Sequence, residues 1–340
     1  MTQEPKTKIQ HPWFVTPFFD EMLQESDLSE ENKKFVKQFA ETGYLIIDPE
    51  IDNFDEVSSE IIDNLNDKYS GDHVLDGTGK RIQDAWDIFG DNNVSALACT
   101  PKVLEVLEML FQRKPIPFQT LNFPVGTQQE THSDTLHFNS IPALFTAGVW
   151  IALEDIDDNN GPLHYYPGSN KLPLYEMHDF GITISEFEDP HQSYAIYEKE
   201  VKKMMAACPY ERVEMNIKKG QALIWAANLF HGGSPIKDKT RTRHSQVTHY
   251  HFEKCMYYTP RLSDVPQGKI FWRAITDINT RQIVPSYFNG KETKLFPGNI
   301  NYDMSRGLTS GTKVKVKKAV KRVMHMTALG RAVFNKIRKR

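Results

Sequence analysis

The chain has two hydrophobic textures. Up to about residue 114 the apolar residues recur three and four positions apart, the spacing of helices that bury one stripe. Ser29 followed by Glu30 and Glu31 predicts a helix start, and Gly43 closes that helix ahead of the strand-like run YLIID. A second helix is expected from Asp55 to Asp67. Thr100-Pro101 predicts a third through Phe111, with proline in its first turn and Val103, Leu104, Leu107 and Leu110 along one stripe. From about Pro115 the pattern changes to short strand-like runs: IPFQTLNF, FTAGVWIALED, PLHYYPG, ERVEMNIK, QALIWAA and RHSQVTHYHF. Turn signals such as DDNNGP, PGSN and KKG separate them, which predicts antiparallel sheets folded as a jelly-roll. Leu172 to Pro209 is an insertion of mixed helix and loop character, and Met256 to Asn301 is aromatic and only weakly periodic.

Composition narrows this picture. At 340 residues, 39% hydrophobic and 25% charged, the chain is long enough to bury a large core and is neither fibrous nor broadly disordered. The N-terminus lacks a signal-like apolar run and no window approaches a membrane span, so a cytoplasmic location is expected. Cys99, Cys208 and Cys255 are far apart and form no CxxC pair, which argues against a disulfide framework or a thiolate zinc site. Charge divides the chain unevenly. Residues 313–340 hold 11 of the 41 Lys and Arg and no acidic residue, leaving 30 basic against 44 acidic side chains before them, a balance of -14.

The candidate chemistry centres on THSD. On an extended segment His132 and Asp134 point together while Ser133 points away. A third ligand is expected from His231, which follows the run QALIWAA and precedes two glycines that allow close approach. Two histidines and a carboxylate on one face of a metal form the arrangement of non-haem Fe(II) oxygenases. An enzyme of that kind using 2-oxoglutarate needs an arginine for the distal carboxylate, and RTRHSQVTHY offers Arg241 and Arg243. Both share a face with Ser245, so parity alone does not choose between them. His137 and His164 read as pocket-lining or surface residues, and His249 and His251, facing inward, as core or neighbours of the ligands. DDNNGP and PGSN do not match a phosphate loop.

Together with THSD, the stretch AGVWIALEDIDDNNGPLHYYPGSNK and HGG followed by RHSQVTHYHF resemble the phytanoyl-CoA dioxygenase family of Fe(II)/2-oxoglutarate oxygenases over roughly residues 115–252. The resemblance implies a mainly β chain with flanking helices around a double-stranded β-helix (jelly-roll, cupin-like) core. It implies His132, Asp134 and His231 as ligands of Fe(II), Arg243 as the clamp for 2-oxoglutarate with Ser245 beside it, and Trp150 in the wall of the site. O2 would be the oxidant, and a small-molecule, lipid or glycan-linked substrate would be hydroxylated with release of succinate and CO2. Asp134 retains the carboxylate that related halogenases replace, which favours hydroxylation. Two positions depart from the family pattern: Asn170 stands where a histidine is usual, and Gly233 where many members carry a serine. The competing reading is a jelly-roll metal-binding protein of isomerase or binding type without oxygenase turnover.

The expected organisation is one oxygenase domain over residues 1–311 and a basic amphipathic tail over 312–340. The domain comprises a helical N-terminal region over residues 1–114, a core of about 115–252 and an aromatic-rich extension over 253–311. In the tail Val316, Val320, Val323, Met326, Val333 and Ile337 recur at helical spacing under a basic face. Such a helix could dock on the acidic body or lie on an anionic membrane. No nucleic-acid partner is expected, since the positive charge is confined to one end and accompanies no recognised motif.

Overall fold

The structure, a computed structural model, describes residues 8–69, 81–187, 189–293 and 298–301. The first expected helix runs Glu30–Thr42, with the Ser29 hydroxyl accepting the Asn32 N–H and Gly43 at φ +83° ending it, a conformation glycine adopts without strain. The second and third run Phe54–Leu65 and Pro101–Phe111, preceded by Asn92–Ala98, a helix not expected and capped by the Asp91 carboxylate, so that Pro101–Phe111 comes last. In the last of these Val103, Val106, Leu107 and Leu110 are buried and Leu104 is half-buried, so the stripe is rotated slightly from the one expected.

These helices cover one face of a six-stranded antiparallel sheet. Its order is Tyr44–Ile47, Ala222–Ala226, Thr146–Ala152, Ser245–Phe252, Pro115–Phe123 and Ile82–Gln83. Strand parity sorts the side chains. Val149, Ile151, Ile224, Tyr250 and Phe252 join the helices in the main apolar cluster. Tyr250 and Gln246 also hydrogen-bond the carbonyls of Ala98 and Val94 at helix Asn92–Ala98. The opposite face presents Leu121, Phe123, Trp150, Leu223, Trp225 and Val247 to Tyr165, Ile156, Met215 and Ile217. That second layer carries a small sheet ordered Val213–Glu214, Leu163–Tyr165, His231–Gly233. The two facing sheets are the double-stranded β-helix, and the candidate site lies between them.

Two expectations need correction. The run ERVEMNIK supplies only the two-residue strand Val213–Glu214. The weakly periodic extension carries short paired strands: Met256–Tyr258 pairs with Asn139–Ile141 and with Lys269–Trp272, which pairs with Gly298–Asn301. Strands of three or four residues are too short to display an alternation, which is why the pattern is weak. The insertion forms helix Pro190–Ala207, whose Tyr197, Val201 and Met205 pack on Leu136 and Phe230, next to the two ligand-bearing segments. Among the described residues no helix is long and apolar enough to cross a membrane. The tail expected over 312–340 lies outside the described residues.

Candidate metal centre

His132 and His231 face each other across a short antiparallel bridge. The His132 N–H donates to the His231 carbonyl at 2.9 Å and the His231 N–H to the His132 carbonyl at 3.0 Å. The pairing sets the rings side by side, centroids 4.6 Å apart. The chain stays extended through Ser133, as expected, and turns directly after it. Ser133 turns its hydroxyl away to the Ala227 carbonyl at 3.0 Å, and Asp134–Leu136 winds into a 3-10 turn closed by the His137 N–H on the Asp134 carbonyl at 2.8 Å. Alternation through the extended Ser133 brings the Asp134 carboxylate beside the rings, and the turn that follows leads the chain away.

Each imidazole is fixed by its far nitrogen. Nδ1 of His132 lies 2.9 Å from the Glu130 carbonyl and Nδ1 of His231 lies 3.0 Å from the Leu229 carbonyl, so both are placed as N–H donors. That tautomer leaves both Nε2 lone pairs directed at Asp134. The Nε2 atoms are 3.7 and 3.8 Å from the carboxylate oxygens, too long for hydrogen bonds, and one donor atom from each of the three residues lies within 4.8 Å of the others. Two neutral nitrogens and a carboxylate without a thiolate form a donor set that fits Fe(II).

Residues around the trio hold it in place. Trp225 Nε1 donates to Asp134 Oδ2 at 2.8 Å. The indole can lie there because Gly148 is opposite it: a Cβ on Gly148 would be 2.1 Å from the Trp225 ring. His249 Nε2 lies 3.6 Å from the same oxygen. Burial alone would raise the Asp134 carboxyl, but the facing imidazoles of His231, His132 and His249 outweigh it and hold the group well below the usual carboxylate range. His231 is pushed down to about 4, chiefly by burial and against the pull of Asp134, so it is neutral at physiological pH with its lone pair free.

The two candidate arginines have different fates. Arg241 is at the surface in a bidentate pair with Asp157, Nη1 standing 2.9 and 2.7 Å from the two oxygens. Arg243 is 1% exposed, its guanidinium 5.1 Å from the Trp150 ring and 5.7 Å from the Phe123 ring. Its Nε and Nη1 have no hydrogen-bond partner among the described residues. Burial lowers it to about 10, with Glu154 opposing, so it stays charged at neutral pH. A buried, unpartnered cation is costly and calls for an anion. Trp150 is fully buried in the inner layer, and its Nε1 also lacks a partner among the described residues. Ser245 is buried too, but its hydroxyl is turned toward the Arg243 carbonyl at 3.5 Å rather than the guanidinium.

The remaining histidines separate clearly. His164 is held by Thr131 Oγ1 at 2.8 Å and Ser234 Oγ at 3.3 Å behind the ligand strands, and burial, then Arg212, lowers it to about 3. His251 stacks on Phe118. His137 turns to the Tyr194 hydroxyl at 3.3 Å. Asn170 ties its turn to helix Glu30–Thr42 through the Ala40 carbonyl at 3.2 Å, a structural role. A Cβ on Gly233 would stand 2.8 Å from the Gln128 nitrogen and one on Gly232 2.8 Å from the Gln129 carbonyl, so the backbone of 128–129 occupies the space a serine would need. Trp225, Gly148 and the contact of His249 with Asp134 escape the sequence reading. The parity of QALIWAA, which puts Trp225 on the face of Leu223, is the available signal.

Comparison with known proteins bears on this geometry. A family model described as phytanoyl-CoA dioxygenase matches residues 39–245. No curated protein matches the chain significantly. Among solved structures the chain is similar to the non-heme alpha ketoglutarate dependent carbocyclase SnoK from nogalamycin biosynthesis, at 17% identity over 68% of this chain and 87% of that one, TM-score 0.50. The epimerase SnoN of the same biosynthesis is 16% identical over 67% and 85%, TM-score 0.48. EctD from S. alaskensis with bound Fe is 17% identical over 67% and 78%, TM-score 0.48. At these identities the likeness is one of fold.

Proposed function

Since the chain belongs to the phytanoyl-CoA dioxygenase family, we propose that it is a non-haem Fe(II)/2-oxoglutarate oxygenase whose iron is held by His132, Asp134 and His231 and whose cosubstrate is held by Arg243. When bound, Fe(II) would let O2 oxidise both 2-oxoglutarate, to succinate and CO2, and a substrate C–H bond. The protein's share is positioning and exclusion of water. Carbonyl contacts at both Nδ1 atoms keep the two imidazoles in one tautomer, and the Trp225 N–H occupies Asp134 Oδ2, which leaves Oδ1 the freer oxygen. Arg243 would meet the distal carboxylate with its charged guanidinium between Trp150 and Phe123, which shield it from water.

Arg243 carries this reading. A metal-binding protein without oxygenase turnover has no use for a buried, unpartnered guanidinium against the aromatic rings of its inner layer, whereas a dicarboxylate cosubstrate accounts for it. Anaerobic addition of Fe(II) and 2-oxoglutarate is expected to give a weak visible charge-transfer band, followed in air by succinate. Iron binding without band or succinate would favour the isomerase or binding alternative.

The substrate is a small molecule, hydroxylation is the favoured outcome, and a cytoplasmic setting is supported by three free cysteines. Peripheral contact of residues 313–340 with anionic lipid rests on their 11 basic residues. Sedimentation with anionic vesicles, full length against a chain ending at Gly311, tests it: equal pelleting removes the tail as an anchor.

A further inference from the structure

We infer that the substrate of this site carries an oxyanion, a carboxylate or a phosphate, gripped by Arg261 and Arg273 of the C-terminal extension; this rests on the oxygenase reading above. Both arginines lie outside residues 39–245 matched by the family model. The 3-10 turn Pro260–Leu262 packs against Asp134–Leu136, the turn that bears the carboxylate. The Arg261 guanidinium stands 5.4 Å from the Tyr194 ring, Tyr194 contacts His137, and the His137 ring is 5.9 Å from that of His132. Arg273, just past strand Lys269–Trp272, lies 4.9 Å from the Phe138 ring and 5.5 Å from that of Phe118. Phe138 in turn is 4.7 Å from His249, the imidazole facing Asp134. Two side chains therefore separate Arg261 from His132, and one separates Arg273 from His249.

Among the described residues neither arginine has a carboxylate at ion-pair distance. Arg273 donates one bond, from Nη1 to Thr259 Oγ1 at 3.2 Å, and its shielded Nε has no acceptor. Two acids act on them through space, neither at ion-pair distance. Asp84 acts on Arg273 through space while its oxygens accept from the Thr120 N–H at 3.0 Å, Trp86 Nε1 at 3.3 Å and Gln83 Nε2 at 3.0 Å. Glu198, near Arg261, is raised by burial toward its neutral form. Cations that repel one another in a partly dry wall are stabilised by a bound anion, and guanidinium forks suit carboxylate or phosphate oxygens. Phe118, Phe138 and Tyr194 offer the apolar surface for the portion of the substrate between that anion and the oxidised carbon.

The test is calorimetric titration of the full-length protein, loaded anaerobically with Fe(II) and 2-oxoglutarate so that Arg243 is occupied, with inorganic phosphate and separately with benzoate. At least one anion should bind, about tenfold or more weakly in Arg261→Gln and in Arg273→Gln, with partial recovery in the Lys variants. The tighter anion names the group. Binding of neither, or binding unchanged in both Gln variants, overturns the inference. Repeating the titration without iron and cosubstrate separates the two claims: anion binding that needs the arginines, in a protein that forms no cosubstrate band, keeps the anion site and rejects the oxygenase reading.

Discussion

His132, His231 and Arg243 are carried on, or immediately beside, paired backbone segments, and their side chains are buried; the two imidazoles are also fixed from behind. Arg261, Arg273 and Tyr194 instead stand on a short turn, a strand end and an inserted helix, and the two arginines are half-buried. The first region uses ladder hydrogen bonds and carbonyl contacts to hold donor atoms within a few ångströms, as chemistry at a metal requires. The second rests on a turn, a strand end and an inserted helix packed around the ligand-bearing segments. The difference assigns reaction type to the sheets and substrate choice to the extension and insertion.

The largest effect should come from the trio. His132→Ala or Asp134→Ala is expected to abolish iron-dependent succinate formation, measured by chromatography, whereas His137→Ala should still bind iron; the reverse pattern would break the ligand assignment. Arg243→Ala should raise the half-saturating 2-oxoglutarate concentration by the equivalent of about 2–5 kcal/mol, read from succinate kinetics, because it removes a desolvated charge partner. Trp225→Phe keeps an aromatic ring but removes the N–H donor to Asp134, and should weaken iron affinity about 10–100-fold in a competition titration with a chelator.

Acidification probes the buried imidazoles. His231 and His164 have folded values of about 4 and about 3, below the ordinary 6.5. The unfolded chain therefore takes up more protons between these limits, so their contribution to stability is complete above about pH 6.5 and is lost as pH falls toward 4 and 3. Urea unfolding of iron-free protein at pH 7 and 4.5 should show the lower midpoint at pH 4.5. The smallest effect is expected for Arg241→Ala: its pair with Asp157 is at the surface and screened by solvent, so its loss should leave cosubstrate kinetics nearly unchanged. A larger response from Arg241 than from Arg243 would shift the clamp by two residues.

What the sequence determined by itself is what local physics enforces. The Ser29 cap, the Gly43 stop and the Pro101 start act within one or two turns, and each appears where expected. The spacing of His132 and Asp134, the glycines after His231 and the motifs from Ala147 to Lys171 were legible because ligands and turns lie close together in the chain. Tertiary structure alone decided the rest. Arg241 and Arg243 share parity, and only the end of the sheet put one in solvent beside Asp157 and the other in the dry interior. The contact of Trp225 with Asp134 spans 91 positions and depends on the missing side chain of Gly148. The extension found its strands by pairing with Asn139–Ile141, more than a hundred residues earlier. Such contacts leave no periodic trace, because a long-range partner selects a residue by shape and charge at one point in space, whereas a helix or strand selects by a repeat along the chain.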